Sequence, residues 1–438
     1  MDEKRVAITT LGCKVNQYES AALAGSFQIR GYKVVDFEDM ADLYVINTCT
    51  VTHLGDRKSR QLIRRAIRKN PRALIVVTGC YAQTASGEIM EIPGVDLVVG
   101  TRDRLKIVDL VETAVKGAAP VAVVSDYQAG DEFADSASLP VSERVRAFLK
   151  IQEGCDNCCT YCIVPEARGP QRSRRPEQVL QAAEQLVAAG YQEIVLTGTH
   201  TGSYGQDLSE QPTLANLLTG LEQLPGLHRL RISSIEPNDI TPELVAVLSD
   251  SEKICRHLHI PLQSGSDKIL GKMGRRYNAW EYARLVDVLK ENIPHLGLST
   301  DVIVGFPGET ELDYQYTCKL VEQLSYSRLH VFKFSPRRGT PAANYPEQVD
   351  PSTVDRRSRK LIRLGEKLAG RFASTLVGLE MSVLVERALT GSDRLCEGLT
   401  DNYLRTVFPG NEDLVGQIVK VKIEGWDKDH LTAKLIRC

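Results

Sequence analysis

Four of the eleven cysteines lie in one short stretch, GCDNCCTYC, at residues 154–162. The stretch divides either into two adjoining CxxC pairs, which would suit a four-thiolate zinc site, or into CxxxCxxC with one additional cysteine. Structural zinc sites usually place a dozen or more residues between their two ligand pairs, because tetrahedral coordination needs ligands from different directions. Cys158 and Cys159 are neighbours, so a tetrahedron of all four thiolates would be strained.

Iron-sulfur clusters, in contrast, are often held by closely spaced cysteines of one loop. The CxxxCxxC set consists of Cys155, Cys159 and Cys162. Three ligands on a four-iron cluster would leave one iron open to a substrate or cofactor, as a catalytic metal site keeps an open position. The spacing therefore favours an iron-sulfur site over zinc.

Three further cysteines each follow an apolar run: Cys13 follows ITTLG, Cys49 follows YVINT and Cys80 follows IVVTG. Strand-like runs that alternate with helical patterns predict βαβ units and a mostly parallel sheet. Ligands of open α/β sheets bind at the carboxyl ends of the strands. We therefore expect the three thiols to converge at one edge; the alternative is three separate cysteines packed as small hydrophobic side chains.

The elements that carry the cysteine loop form a second alternating pattern. Six apolar segments between residue 144 and about residue 340 are separated by helical patterns: RVRAFLKI, EIVLTGTH, RLRISSIE, HLHIPLQS, LSTDVIVGF and SRLHVFKFS. This pattern predicts a barrel or partial barrel with its active site at the carboxyl ends of the strands. The cysteine loop follows the first strand, so we expect it at the mouth of this barrel.

The predicted fold class is α/β with a small β domain at the end. A chain of 438 residues suggests two to four domains. From about residue 375, five short strands predict a small closed OB-like barrel, a fold that often binds nucleic acid; a purely structural cap is the alternative. The predicted boundaries are a parallel-sheet α/β domain at 1–125, an acidic linker at 126–143, a partial (β/α)6 barrel at 144–372 and the small β-barrel at 373–438.

Composition and charge limit the location and the partners. The absence of a long apolar run and of a signal peptide predicts a cytoplasmic protein that does not enter a membrane. In that reducing compartment the cysteines indicate metal binding or catalysis more than disulfides. The net charge of −2 gives no global attraction for nucleic acid. Basic side chains cluster instead at 56–72, at 355–371, and at Arg168, Arg172, Arg174 and Arg175. These are either solvated surfaces or contacts to a phosphate-bearing substrate.

The stretch CDNCCTYC, with an aromatic residue before its last cysteine, resembles the signature of radical S-adenosylmethionine (SAM) enzymes. The resemblance implies that Cys155, Cys159 and Cys162 hold a [4Fe-4S] cluster whose open iron binds the amino and carboxylate groups of SAM. Cys158 then falls at an intervening position of the motif and is a bystander. The backbone of Tyr161 is implied to lie near the adenine.

The resemblance narrows to the methylthiotransferases over nearly the whole chain, through LGCKVNQYES, NTCTVT, VTGCYAQ, SSIEP, HIPLQSGS and VGFPGET. It implies that Cys13, Cys49 and Cys80 ligate a second, auxiliary [4Fe-4S] cluster, and that the terminal barrel is an RNA-binding TRAM domain. One SAM is implied to donate a methyl group to sulfur at the auxiliary cluster. A second SAM is implied to be the radical source that removes hydrogen from an unactivated carbon.

Further SAM contacts are expected at the barrel mouth, although strand-end capping is the alternative for each of them. The LTGTH segment lies where the superfamily has a Gly-Gly-Glu-like turn, but it lacks the glutamate. The candidates are Thr197, Gly198, Thr199, Ser233, Glu236, Gln263 and Asp301. No side chain is assigned a catalytic role.

The wording of GCKVNQYES and NTCTVT most resembles the branch that modifies threonylcarbamoyladenosine-37 of tRNA. The alternatives are isopentenyladenosine-37 of tRNA, an aspartate of a ribosomal protein, or a non-enzymatic protein: an RNA-binding module with a structural metal, or an iron-sulfur electron carrier. The expected partners are a tRNA anticodon stem-loop, an electron donor of the flavodoxin or ferredoxin type, and a sulfur source. The chain is expected to act as a monomer.

Overall fold

The computed structural model describes residues 3–128, 130–134, 145–389 and 394–436. They form an N-terminal sheet, a partial barrel and a small closed barrel. Within these residues, no helix has both the length and the apolar character that crossing a membrane requires.

The N-terminal sheet is six-stranded and parallel, in the order β2-β1-β3-β4-β5-β6. Every residue of the central strand LYVINT is buried, as its nearly continuous apolar run predicts for a strand covered on both faces. The strands are β1 (Arg5–Thr10), β2 (Lys33–Val35), β3 (Leu43–Thr48), β4 (Leu74–Gly79), β5 (Leu97–Val99) and β6 (Val121–Val123). The helices are α1 (Lys14–Ile29), α2 (His53–Lys69), α3 (Cys80–Thr84), α4 (Ser86–Met90) and α5 (Ile107–Thr113). The adjacent strands β1, β3 and β4 bring their carboxyl ends to one edge.

The partial barrel contains six parallel strands in chain order, which confirms the predicted α/β architecture. Two three-stranded sheets are joined by isolated bridges between Leu230 and Ile254 and between Ser234 and His259. The strands are β7 (Arg146–Lys150), β10 (Glu193–Thr197), β11 (Arg229–Ile232), β12 (His257–His259), β13 (Gly297–Val304) and β14 (Arg328–Lys333), and a hairpin of β8 (Gln152–Glu153) and β9 (Arg172–Ser173) flanks the cysteine loop. The helices are α6 (Val164–Arg168), α7 (Pro176–Ala188), α8 (Leu214–Glu222), α9 (Pro242–Asp250), α10 (Asp267–Lys272), α11 (Ala279–Asn292), α12 (Glu311–Leu324) and the connecting α13 (Pro351–Ser374).

The closed C-terminal barrel has the strand order β15-β16-β17-β19-β18. Its strands are β15 (Glu380–Leu389), β16 (Leu395–Thr400), β17 (Arg405–Pro409), β18 (Ile418–Asp427) and β19 (His430–Leu435). The turn between β16 and β17 packs against the amino ends of the partial-barrel strands. In that turn, Tyr403 has a positive φ of 70° and its ring lies 4.6 Å from the ring of His257.

The described part of the predicted linker has no helix or strand, but it packs at the junction of the first two units. The Tyr127 hydroxyl donates to Thr101 Oγ1 at 3.0 Å, and the Arg172 guanidinium lies 4.4 Å from the Tyr127 ring centroid. A side chain on Gly169, at φ +69°, would collide with this ring. Residue 129 and residues 135–144 lie outside the described residues.

Candidate iron-sulfur and SAM site

The structure brings Cys13, Cys49 and Cys80 together at the edge that the strand ends predict. Cys13 precedes α1, Cys49 follows β3 and Cys80 begins α3. Gly12, at φ +112°, passes so close that a Cβ there would lie 3.0 Å from Cys49 Cβ. Burial raises the pKa of the Cys80 thiol to about 12, with Arg168 opposing and the neighbouring Cys49 and Cys13 adding to the rise. We refer to these three cysteines as the auxiliary trio.

Arg168 joins the auxiliary trio to the partial barrel. This residue ends α6, directly after the cysteine loop, and its Nε donates to Cys80 Sγ at 3.2 Å. Its other nitrogens donate to Glu19 at 2.5 Å, to Glu153 at 2.9 Å and to Asn16 at 2.7 Å. Although burial opposes ionisation, Arg168 and its neighbouring cations lower the pKa of both carboxyl groups, so the network is charged.

The expectation that Arg168 and Arg172 form part of a phosphate-binding surface is wrong. Both side chains are buried. Arg168 binds the carboxylates of the network, and Arg172 donates to the carbonyl oxygens of Pro170 and Arg168. A buried arginine needs such internal partners to offset its lost hydration, so its donors do not face a substrate.

The second set, Cys155, Cys159 and Cys162, lies in the loop between β8 and α6; we call it the loop trio. Burial, together with the other two thiols, raises the pKa of the Cys162 thiol to about 12, although its hydrogen bond with the backbone opposes this rise. Cys158 is exposed, and its sulfur lies 3.8 Å from the carbonyl oxygen of Asp156.

The spacing of these sulfur atoms fits iron-sulfur ligation better than zinc. Zinc–sulfur bonds of ~2.3 Å in a tetrahedron place the sulfurs about 3.8 Å apart. Within the described ranges, no three cysteine sulfurs lie within 4.8 Å of one another. A four-iron cluster binds each thiolate through a different iron and so accepts wider spacing. Among the described residues, the absence of a tight three-thiolate group argues against zinc, and the wider spacing is compatible with iron-sulfur ligation.

Each trio also has positively charged or hydrogen-bonding groups beside its sulfurs. Arg275 Nη1 lies 3.3 Å from Cys159 Sγ, and its guanidinium pairs with Glu236. His200 Nδ1 lies 3.8 Å from Cys155 Sγ, and its Nε2 lies 2.6 Å from Asp239. Burial lowers the pKa of His200, but the hydrogen bonds to Asp239 and Cys155 outweigh it and raise the pKa to about 10. Sequence reasoning missed Arg275 and His200 and assigned Arg168 a different role, because only the fold brings these side chains to the cysteines.

The predicted SAM contacts occupy different parts of the barrel mouth. Glu236 lines a cleft of about 220 Å³ together with Cys159, His200 and Arg275. Thr197, Gly198 and Thr199 stand at the end of β10, beside Gln152. Tyr161 packs in an apolar group with its ring centroid 6.5 Å from that of Phe306. The structure thus places Glu236 beside the loop trio and Tyr161 within the adjoining apolar group.

Ser233, Gln263 and Asp301 lie further into the barrel. Gln263 has a positive φ of 63°, and its backbone pairs with β13. Asp301 lies 3.2 Å from His259 Nε2. One potential ligand atom from each of Asp301, His259 and His330 lies within 4.8 Å of the others. Ser233 faces Lys14 of α1, whose Nζ lies 3.4 Å from the Ser233 oxygen.

The predicted basic helix is α2, and five of its basic residues are exposed. They are Arg57, Lys58, Arg64, Arg65 and Arg68. Arg65 pairs with Glu38 at 2.6 Å, so part of its charge is compensated. Thr52 caps the helix by accepting a hydrogen bond from the Gly55 nitrogen, which fixes its start close to Cys49. The basic surface of α2 therefore begins next to Cys49 of the auxiliary trio.

Three family descriptions match consecutive parts of the chain. Residues 5–100 match the uncharacterized protein family UPF0004, residues 149–321 match the radical SAM superfamily, and residues 374–436 match the TRAM domain.

Curated relatives match almost the full length. The chain is 49% identical over 421 residues to a threonylcarbamoyladenosine tRNA methylthiotransferase MtaB of Bacillus subtilis (strain 168), covering 95% of this chain and 93% of that protein. A protein of the same name from Aquifex aeolicus (strain VF5) is 39% identical, with 96% and 100% covered. A tRNA-2-methylthio-N(6)-dimethylallyladenosine synthase of Carboxydothermus hydrogenoformans (strain ATCC BAA-161 / DSM 6008 / Z-2901) is 37% identical, with both chains covered completely.

Among solved structures, the fold is similar to that of the radical SAM methyltransferase TsrM from Kitasatospora setae. The TM-score is 0.57 at 17% identity, and the match covers 78% of this chain and 77% of that one.

Proposed function

The chain belongs to the radical SAM methylthiotransferase family, and we infer from this that it installs a methylthio group at C2 of N6-threonylcarbamoyladenosine-37 of tRNA. It is a transferase that uses SAM as methyl donor and radical source and carries two [4Fe-4S] clusters. The full-length similarity to the Bacillus enzyme carries this conclusion and favours it over the dimethylallyladenosine alternative.

We assign the auxiliary trio and the loop trio as the ligands of the two clusters. The support is their convergence in space together with the donors beside them, Arg168 at Cys80 and Arg275 at Cys159. When bound, the clusters and SAM supply the methyl group and the radical that reaction at an unactivated carbon requires. The protein stabilises the negative charge of the thiolates through these arginines, and Glu236 holds Arg275 in place.

The SAM contacts are proposed from position. Glu236 and Tyr161 adjoin the loop trio. The strand-end residues Thr197, Gly198 and Thr199 and the deeper residues Ser233, Gln263 and Asp301 are the other candidates.

The proposed division of labour follows the three units. Residues 1–125 hold the auxiliary cluster, residues 144–372 hold SAM and the second cluster, and residues 373–438 bind RNA. The exposed basic side chains of α2 support binding of the anticodon stem-loop, mainly through phosphates. We propose that the enzyme acts as a monomer in the cytoplasm, where a flavodoxin- or ferredoxin-type donor supplies electrons and a separate source supplies sulfur.

Anaerobic reconstitution followed by mass spectrometry of tRNA nucleosides tests the proposal. We expect about eight irons per chain, SAM cleavage on reduction, and a methylthio product from tRNA that carries threonylcarbamoyladenosine. One bound zinc without SAM cleavage would contradict the enzyme assignment. A product formed only from isopentenyladenosine tRNA would contradict the substrate.

A further inference from the structure

We propose that Lys14 determines substrate specificity by binding the carboxylate of the threonylcarbamoyl group. This inference rests on the proposed function and names the part of that substrate that the site recognises. The proposed interaction is an ion pair between the Lys14 ammonium group and an aliphatic carboxylate in a partly buried site.

Lys14 lies between the auxiliary trio and the interior of the partial barrel. The residue follows Cys13 of the auxiliary trio and is the first residue of α1. Its Nζ extends to the carboxyl end of β11 and lies 3.4 Å from Ser233 Oγ, inside the mouth of the partial barrel. Lys14 therefore connects the auxiliary site with the interior of the barrel.

Lys14 lacks the carboxylate partner that a second lysine at this domain junction has. Lys150 lies 3.2 Å from Glu19 and 3.1 Å from Glu153. Among the residues that the structure describes, no carboxylate lies within ion-pair distance of Lys14; beside Ser233, its other contact is the Tyr403 ring, 5.9 Å from Nζ. A partly exposed lysine whose ammonium group contacts a hydroxyl and an aromatic ring has unused capacity for an anion.

The surroundings of Lys14 carry excess positive charge. Glu193 is shared by Arg146, Arg229 and Arg231, and Glu386 also pairs with Arg146. Glu193 therefore interacts with several cations besides Lys14, and no ion pair joins it to Lys14. An incoming carboxylate would reduce this excess of positive charge.

The two competing modifications of adenosine-37 differ in charge. Threonylcarbamoyl carries a carboxylate that is ionised at neutral pH, whereas isopentenyl is a hydrocarbon. Seating a hydrocarbon beside Lys14 would remove water from the ammonium without supplying a partner, and burying an unpaired charge is costly. One side chain thus attracts the correct substrate and opposes the wrong one.

The test changes both partners of the contact. Reconstituted wild-type enzyme and the Lys14→Gln variant are assayed for kcat/KM and for equilibrium binding with two tRNAs, one with the free threonylcarbamoyl carboxylate and one with its methyl ester. We expect the wild type to prefer the free acid by about 10- to 100-fold, since a hydrogen bond between charged groups is lost in the ester. Lys14→Gln should lose this preference and retain the rate on the ester.

Three controls separate specificity from structure. Iron content and tRNA-independent SAM cleavage should equal those of the wild type in Lys14→Gln. Lys14→Arg should restore part of the preference, and Lys33→Gln, at an exposed position of β2, should leave it unchanged.

Equal wild-type rates and affinities for acid and ester would overturn the inference, as would a Lys14→Gln variant that loses iron or slows equally on both substrates. Activity on isopentenyladenosine tRNA alone would instead overturn the proposed function.

Discussion

At the scale of single residues, each trio of thiols depends on side chains that carry positive charge or donate hydrogen bonds to sulfur. Arg168 donates to Cys80, and Arg275 donates to Cys159. Hydrogen bonds and nearby positive charge stabilise thiolates and set the reduction potentials of iron-sulfur clusters. Substitutions at these positions should therefore change cluster properties without removing a ligand.

Cys158 and Cys159 offer a matched comparison of neighbouring thiols. Cys158→Ala should keep the full iron content, because its thiol is exposed and separate from the loop trio. Cys159→Ala should lose about four irons per chain and abolish SAM cleavage. Iron analysis and absorbance spectra after anaerobic reconstitution measure both. Equal iron loss in the two variants would make Cys158 a ligand.

Replacing Arg168 should lower the reduction potential of the auxiliary cluster and leave that of the other cluster unchanged. Arg168→Gln removes a positive charge and a charged hydrogen bond worth about 1.5–3 kcal/mol from Cys80, so the reduction potential should fall by tens of millivolts. A redox titration followed by electron paramagnetic resonance measures it, with Arg168→Lys as the charge-retaining control. The cluster of the loop trio should keep its potential. Unchanged potentials for both clusters at full iron content would refute the tuning role.

The sequence predicted which cysteines come together, but it did not predict which arginines donate hydrogen bonds to their sulfurs. Cys13, Cys49 and Cys80 follow strand-like runs, so the alternating pattern alone predicts their convergence. Arg168 reaches Cys80 across 88 residues, and Arg275 reaches Cys159 across 116. Such contacts depend on the packing between units, which no local pattern encodes.

At the scale of elements, the long apolar runs identified the central strands and missed the edges. The apolar runs before the three cysteines predicted β1, β3 and β4, but the pattern did not predict β2 or β6. These two strands have only three residues each, and they are shorter and less buried than β3 and β4. Backbone pairing with β1 and β5 at the two sheet edges completes these strands.

Helix α2 should contribute to RNA affinity. Replacing Arg64 and Arg65 with Ala should weaken tRNA binding and reduce the slope of log affinity against log salt by about 1 to 2, as expected for the loss of one or two phosphate contacts. Arg64 should account for most of the loss, because Glu38 already pairs with Arg65. Filter binding over a range of salt concentrations measures the slope.

The control for α2 removes equal charge elsewhere: Arg284→Ala with Lys319→Ala, exposed on the outer helices α11 and α12. Unchanged affinity of the α2 variant at low salt would exclude this surface from the interface.

At the scale of the whole molecule, a buried arginine connects the partial barrel to the terminal barrel through hydrogen bonds. Arg231, fully buried, donates to Glu193 at 2.7 Å and to the carbonyl oxygens of Asp401 and Thr400 at 2.8 and 3.2 Å. Burial raises the pKa of Glu193, but Arg231 and its neighbours outweigh it and lower the pKa to about 2. This stabilisation is therefore present above pH 4.5 and is lost as the pH falls toward 2.

Arg231→Met should destabilise the contact between the partial barrel and the terminal barrel. The substitution leaves the Glu193 charge without its main partner, so we expect a loss of about 3–5 kcal/mol in the free energy of unfolding. Anaerobic urea unfolding and limited proteolysis of the terminal barrel measure it, and adding Glu193→Gln should recover part of the loss. A loss below about 1 kcal/mol would show that Arg231 does not hold the units together.

The order of the three units was predictable, but their docking was not. Composition and strand spacing predicted a sheet, a partial barrel and a closed barrel in that order. Tyr127, in an acidic segment without periodicity, packs on Arg172 and fills a space that only Gly169 permits. A segment of linker-like composition can thus be part of an interface when one aromatic side chain finds a matching cavity.

The hydrogen bond from Arg168 to Cys80 also bears on how the enzyme is made. All three cysteines of the auxiliary trio leave the ribosome before Arg168, which follows Cys80 by 88 residues. A nascent chain that stops short of α6 exposes the thiols without the guanidinium or its carboxylate network. The auxiliary site is therefore complete only after the partial barrel has been synthesised and has folded. We expect a truncated N-terminal fragment, which lacks Arg168, to bind a cluster less stably than the full chain does.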